Sequence, residues 1–135
     1  MSRKKTRELI VQFLFQMEAR QEEYTGLLED FIEENSMQAE DRAFFAQNIA
    51  GTVKNLNDID RLIETKLKNW TLDRISWTDL AVLRNALYEI LYRDDIPVKV
   101  SINEAVDLAK KYSDAESGVF VNGILGSIVR EHNLQ

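Results

Sequence analysis

Four of the first seven residues, Arg3, Lys4, Lys5 and Arg7, are cationic. Cations at that density can neutralise phosphates, and guanidinium groups can also stack on bases or grip a phosphate with two parallel N–H donors. Near the other end, the stretch "VFVNGILGSI" over 119–128 holds Phe120, an aromatic face for a base or for a core. The groups that make or break bonds are scarce. There is no Cys and a single His, His132, so zinc sites and His-based triads lack parts. No Gly-rich phosphate loop of the GxxxxGK[ST] or GxGxxG type occurs, and no Glu-x-x-His pair points to a di-iron bundle. Asp94-Asp95 beside Pro97 reads as turn chemistry. The side chains present suit binding rather than catalysis, with no metal and no organic cofactor expected.

The elements that must position these residues follow from composition. At 135 residues the chain is most simply one domain, 44% hydrophobic and 30% charged, as in soluble globular proteins. One Pro and five Gly leave few turn residues and favour long helices. No apolar run reaches the roughly 18 residues of a membrane span, and "MSRKKTREL" lacks the apolar core of a secretory signal, so a cytoplasmic location is expected. The net charge of −6 is unevenly spread: residues 1–7 carry +4, residues 8–60 carry −9 and residues 61–135 carry −1. The basic end permits local contact with an anionic polymer, and it equally suits a solubilising tail.

Apolar residues recur at helical spacing throughout, and no strand alternation persists. Residues 5–20 form a stripe of Leu9, Ile10, Phe13, Leu14 and Met17, with Val11 and Phe15 as an i, i+4 pair beside it. Helices are also expected over 24–35, over 39–69 with a bend near Asn55-Leu56-Asn57, and from Ser76 to about Tyr92. Ser76 with Asp79 resembles a capping box, and Ser101 with Glu104 is a better one, opening a short helix; Ser113 to Glu116 repeats the pattern before a last helix to about Glu131. The expectation is all-α: six or seven helices in two small bundles, over 1–70 and 71–135, with Trp70 and Trp77 joining them at the intervening break.

In the last helix the spacing selects Val119, Phe120, Gly123, Ile124, Ser127 and Ile128 as the inward stripe. On that reading Gly123, with Gly126 and Ser127, lets another helix backbone approach closely. Asn122 would tie the approach to a neighbouring carbonyl or loop. Both are structural expectations.

The run "IPVKVSINEAVDLAKKYSDAESGVFVNGIL" resembles the C-terminal signature of the NusB family of transcription antitermination factors. The resemblance extends through "LDRISWTDLAVLRNALYEIL" and, more weakly, "RKKTRELIVQFLF", in the family's order. The same domain is similar to one fused ahead of certain RNA cytosine methyltransferases, whose Cys nucleophile this chain lacks. The resemblance implies an all-helical adaptor without a covalent step. It binds the single-stranded boxA element of ribosomal RNA leader transcripts together with NusE, a small-subunit ribosomal protein, in the RNA polymerase antitermination complex.

Residue by residue, the family's basic N-terminal stretch falls on Arg3, Lys4, Lys5 and Arg7, an aromatic RNA-surface position on Phe120, and an acidic position that tunes RNA affinity on Glu116. Phe15 stands where some members have Tyr, and Asp79 where they have Glu, both on the surface associated with NusE. Gly118 and Val119 depart from a more polar, basic stretch. Each residue also has a plainer reading: Phe120 and Phe15 as packing, Asp79 as the acid of a helix cap. A helical interaction module with little RNA binding is the alternative that the acidic balance and the Gly118–Val119 departure favour.

Overall fold

The computed structural model describes residues 1–21, 23–68 and 71–134. Among them lie seven α-helices and no strand: α1 (Arg3–Arg20), α2 (Thr25–Glu34), α3 (Ala39–Lys54), α4 (Leu56–Glu64), α5 (Trp77–Tyr92), α6 (Val98–Tyr112) and α7 (Ala115–Glu131), with a single 3-10 turn at Leu72–Arg74. The all-α expectation is met. Trp70 lies outside the described residues.

Helix α5 is the organising element. From Asp79 to Ile90 every residue is buried, because α1, α3, α4, α6 and α7 all pack on it. A helix covered on all sides cannot show a clean amphipathic stripe. The chain upstream wraps α5 with α1 and α3, where Phe13, Phe31 and Phe45 form an aromatic cluster with ring centroids 5.1 to 5.6 Å apart. The chain downstream covers it with the antiparallel pair α6 and α7. At Asn55 the expected bend is a break. The Asn55 amide donates to the Gly51 carbonyl at 2.8 Å, ending α3, and α4 restarts at Leu56.

Polar groups stitch these helices together inside the core. Arg7 on α1 grips Glu89 on α5 with two parallel hydrogen bonds of 3.0 Å. Glu89 also accepts from Ser101 Oγ at 2.7 Å, Asn48 at 3.1 Å and Asn85 at 3.2 Å. Farther along, Arg84 holds Asp60 in the same two-pronged way at 2.8 and 2.9 Å, tying α5 to α4.

Several local expectations are corrected. Helix α6 starts at Val98 behind Pro97, so Ser101 and Glu104 do not cap it. Proline's fixed φ pre-sets the helix start, and the backbone enters four residues earlier than the serine suggests. Ser101 instead spends its hydroxyl on Glu89, and Glu104 faces out to Lys4. The cap of α7 is Asp114, accepting from Ser117 N at 2.8 Å, not Ser113. The buried stripe of α7 is Ser117, Gly118, Val121, Ile124, Leu125, Ile128 and Val129, so the expected stripe was rotated; Val119 is 74% exposed. Gly123 and Asn122 are exposed, and a Cβ on Gly123 would meet nothing within 4 Å. Among the described residues no helix crosses there. The close approach is at Gly51, where a Cβ would fall 2.0 Å from Tyr88 Cε1.

Candidate nucleic-acid interface

The basic end is ordered helix. Ser2 adopts extended geometry and its hydroxyl accepts from Lys5 N at 3.0 Å, so α1 begins at Arg3, two residues earlier than the apolar spacing indicates. This puts Arg3, Lys4 and Lys5 on the first turn, where unpaired backbone N–H groups and the helix dipole already favour an anion. Arg3 spreads its guanidinium 4.2 Å over the Phe44 ring, with Asp41 3.9 Å away. Lys4 sits between Glu104 at 2.6 Å and Asp107 at 3.3 Å; the Glu104 hydrogen bond above all holds its pKa above the ordinary lysine value. Lys5 is exposed and has no ion pair among the described residues. Arg7 corrects the expectation of four surface cations. It is 5% exposed and both faces of its fork serve Glu89, so it offers nothing to a ligand.

The aromatic and acidic candidates gather elsewhere, around a hollow of about 310 Å³ lined by Arg74, Ser76, Asp79, Glu116 and Phe120 among others. Asp79 and Glu116 come from the first turns of α5 and α7. Glu116 is exposed, while Phe120 is half-buried and packs against the core, between the two readings of its role. Asp79 is buried. Ser76 caps α5 by accepting from Asp79 N at 3.1 Å, but the carboxyl does not close a reciprocal box. Its Oδ2 accepts from Ser117 Oγ at 3.3 Å, and Oδ1 is buried without a hydrogen-bond partner. Burial pushes this carboxyl above the usual aspartate range, against the pull of the Ser117 hydroxyl.

Phe15 and Trp77 form an edge-to-face pair with centroids 5.8 Å apart, 37% and 48% exposed. They pack α1, from the 1–70 part of the chain, on the start of α5, from the 71–135 part. No cue in the helix pattern marked Trp77 as exposed, since it opens a helix that is buried from Asp79 to Ile90.

A second cavity, about 540 Å³, opens on the other flank of Phe120 between the chain after α4 and the middle of α7. Lys66, Lys68, Val119, Gly123 and Ser127 line it. The basic first turn of α1 borders neither cavity. Among the described residues no cluster of His, Asp or Glu could hold a metal ion, and no helix is long and apolar enough to cross a membrane.

Residues 4–130 match the NusB family. The transcription antitermination protein NusB of Acetivibrio thermocellus is 43% identical over 130 residues, which span 96% of this chain and 90% of that protein. NusB of Clostridium novyi is 42% identical over 132 residues, 96% of this chain and 99% of the relative. Among solved structures, NusB of T. maritima superposes with a TM-score of 0.89 at 39% identity, covering 97% of this chain and 92% of the other. The crystal structure of antitermination factors NusB and NusE in complex with dsRNA gives 0.87 at 27% identity, over 96% of both chains.

Proposed function

The chain belongs to the NusB family, and from that premise we propose that it is a transcription antitermination factor, a non-catalytic adaptor. It holds single-stranded boxA RNA of ribosomal RNA leader transcripts and NusE at once, within the RNA polymerase antitermination complex in the cytoplasm. The observation that carries this reading is the near full-length superposition on a chain of the NusB–NusE–RNA complex. The chemistry agrees: a cationic helix start for phosphate and an aromatic edge at Phe120.

The decisive experiment is titration of labelled boxA RNA with this protein, with and without NusE. Weak binding alone, strengthened by NusE, is the expected result. Equal affinity in both arms counts against the adaptor. One observation favours a second reading, an interaction module with little RNA binding. Arg7 is buried, and Arg3 and Lys4 already face carboxylates, which leaves Lys5 as the first-turn cation with no ion pair among the described residues. On that reading NusE binds and the RNA adds nothing.

A further inference from the structure

Among the described residues nothing packs on Gly123. It sits in the interior of α7, where only proline is a poorer helix former. A side chain there would project into open space. That space is the cavity of about 540 Å³ described above, which is within the roughly 300–1,000 Å³ typical of small-ligand pockets. Its walls are of three kinds. Val119 and the Phe120 ring are apolar, the Ser127 hydroxyl can both donate and accept, and two lysines approach from the chain that follows α4. Lys66 is engaged by Glu131. Lys68 is exposed, with no ion pair among the described residues. A bare stretch of helix backbone, an aromatic edge, a hydroxyl and a cation suit a flat heteroaromatic ring carrying a phosphate.

We propose that this cavity seats one unstacked nucleobase of single-stranded RNA, its plane against the bare backbone at Gly123, with the Lys68 ammonium on the adjoining phosphate. The inference rests on the RNA-binding reading above. It adds a second contact region to the basic turn of α1, and it accounts for Gly123 by what must lie on it rather than by a neighbouring helix. Single strands are read in this way, by splaying bases onto protein surfaces while cations track the backbone.

The test uses the full chain with NusE and fluorescently labelled boxA RNA, alongside the same RNA carrying one abasic site moved position by position. Gly123→Leu fills the seat and is expected to weaken binding about tenfold, the scale of one lost base contact, with helicity unchanged. Gly123→Ala gives the same effect in smaller amplitude while raising the melting temperature, a combination that a merely structural glycine would not produce. One abasic position is expected to weaken binding to the wild type and to leave Gly123→Leu unaffected. Lys68→Gln is expected to flatten the plot of log K against log salt by about 0.7. If the wild type binds the RNA and Gly123→Leu and Gly123→Ala bind it equally well, the base seat is wrong and the adaptor reading stands. If the wild type binds no RNA with or without NusE, the adaptor reading fails first and the seat with it.

Discussion

Arg7 and Asp79 are both buried charges, held in opposite ways. Arg7 meets a full set of partners: its fork matches the Glu89 carboxylate, whose remaining lone pairs are filled by Asn48, Asn85 and Ser101. Removing one partner of such a pair leaves an uncompensated charge inside, so Arg7→Ala is expected to cost about 3–5 kcal/mol in urea unfolding. Arg3→Ala, one turn earlier and half-exposed, should stay within about 0.5 kcal/mol. Its residual cost is the stacking on Phe44. The signal for Arg7 was present in the spacing, since it precedes Ile10, Val11 and Leu14 by three, four and seven residues and so lies on the buried face of α1. A cationic cluster read as a block hides the member that points inward. Asp79 is the under-satisfied case. Its folded pKa lies above the usual value of 3.8, chiefly through burial. The native state therefore favours the protonated form: the contribution to stability is whole below the ordinary aspartate pKa and is lost as pH rises through the folded one. Asp79→Asn removes that loss. It should raise the melting temperature at pH 7, and the gain should vanish as the pH falls below about 4. A gain independent of pH would show that the carboxyl is well solvated in the folded protein.

At the scale of the element, two helical glycines make opposite predictions. Gly51 on α3 lies under the Tyr88 ring, which is buried and stacked on Tyr92 at 5.9 Å. Gly51→Ala must displace that ring, so a loss of about 1–3 kcal/mol is expected in denaturant unfolding. Gly123→Ala meets nothing and reduces the freedom of the unfolded chain, so it should stabilise by about 0.4–1 kcal/mol. The helix pattern pointed to the wrong one of the pair. In α7 the true inward stripe begins with Ser117 and Gly118, small residues that let α6 come close: a Cβ on Gly118 would fall 2.7 Å from Lys110 Cγ. Starting the stripe at the large apolar pair Val119 and Phe120 rotates it away from Ser117 and Gly118. Helix existence and order were legible because long apolar periods recur with few breakers. Starts were less so. Ser2 and Pro97 set α1 and α6 earlier than the apolar positions alone suggest, and Ser101 looks like a cap only while Glu89, twelve residues upstream, is out of sight.

For the whole molecule, α1 is one rod carrying two of the proposed contacts. Its first turn holds Arg3, Lys4 and Lys5, and Phe15 lies twelve residues on, about 18 Å along the axis at the α-helical rise. Neither the partial pairing of Arg3 and Lys4 nor the identity of Arg7's partner could be read from a chain whose contacts to Asp41, Glu104 and Glu89 span 38, 100 and 82 residues of sequence. The count of available cations nevertheless sets an observable. With so few phosphates neutralised, the plot of log K for single-stranded RNA against log salt should be no steeper than about −4, at about −0.7 per phosphate. The separation along α1 sets another. Lys5→Glu puts a carboxylate where a phosphate would sit, and should weaken RNA binding by the isolated protein while leaving NusE affinity unchanged. Phe15→Ser removes the ring that Trp77 packs against, and should weaken NusE binding by about tenfold or more if the exposed pair is an anchor of the interface. Each change is on an exposed side chain, so helicity and cooperative melting are expected to persist. The two sites share no side-chain partner, so their effects on the ternary complex should add within about 0.5 kcal/mol in a double-mutant cycle. A larger coupling would mean that RNA and NusE touch each other, or that α1 shifts as a body when either one binds. Loss of the same activity by both single variants would place the two ligands on one surface.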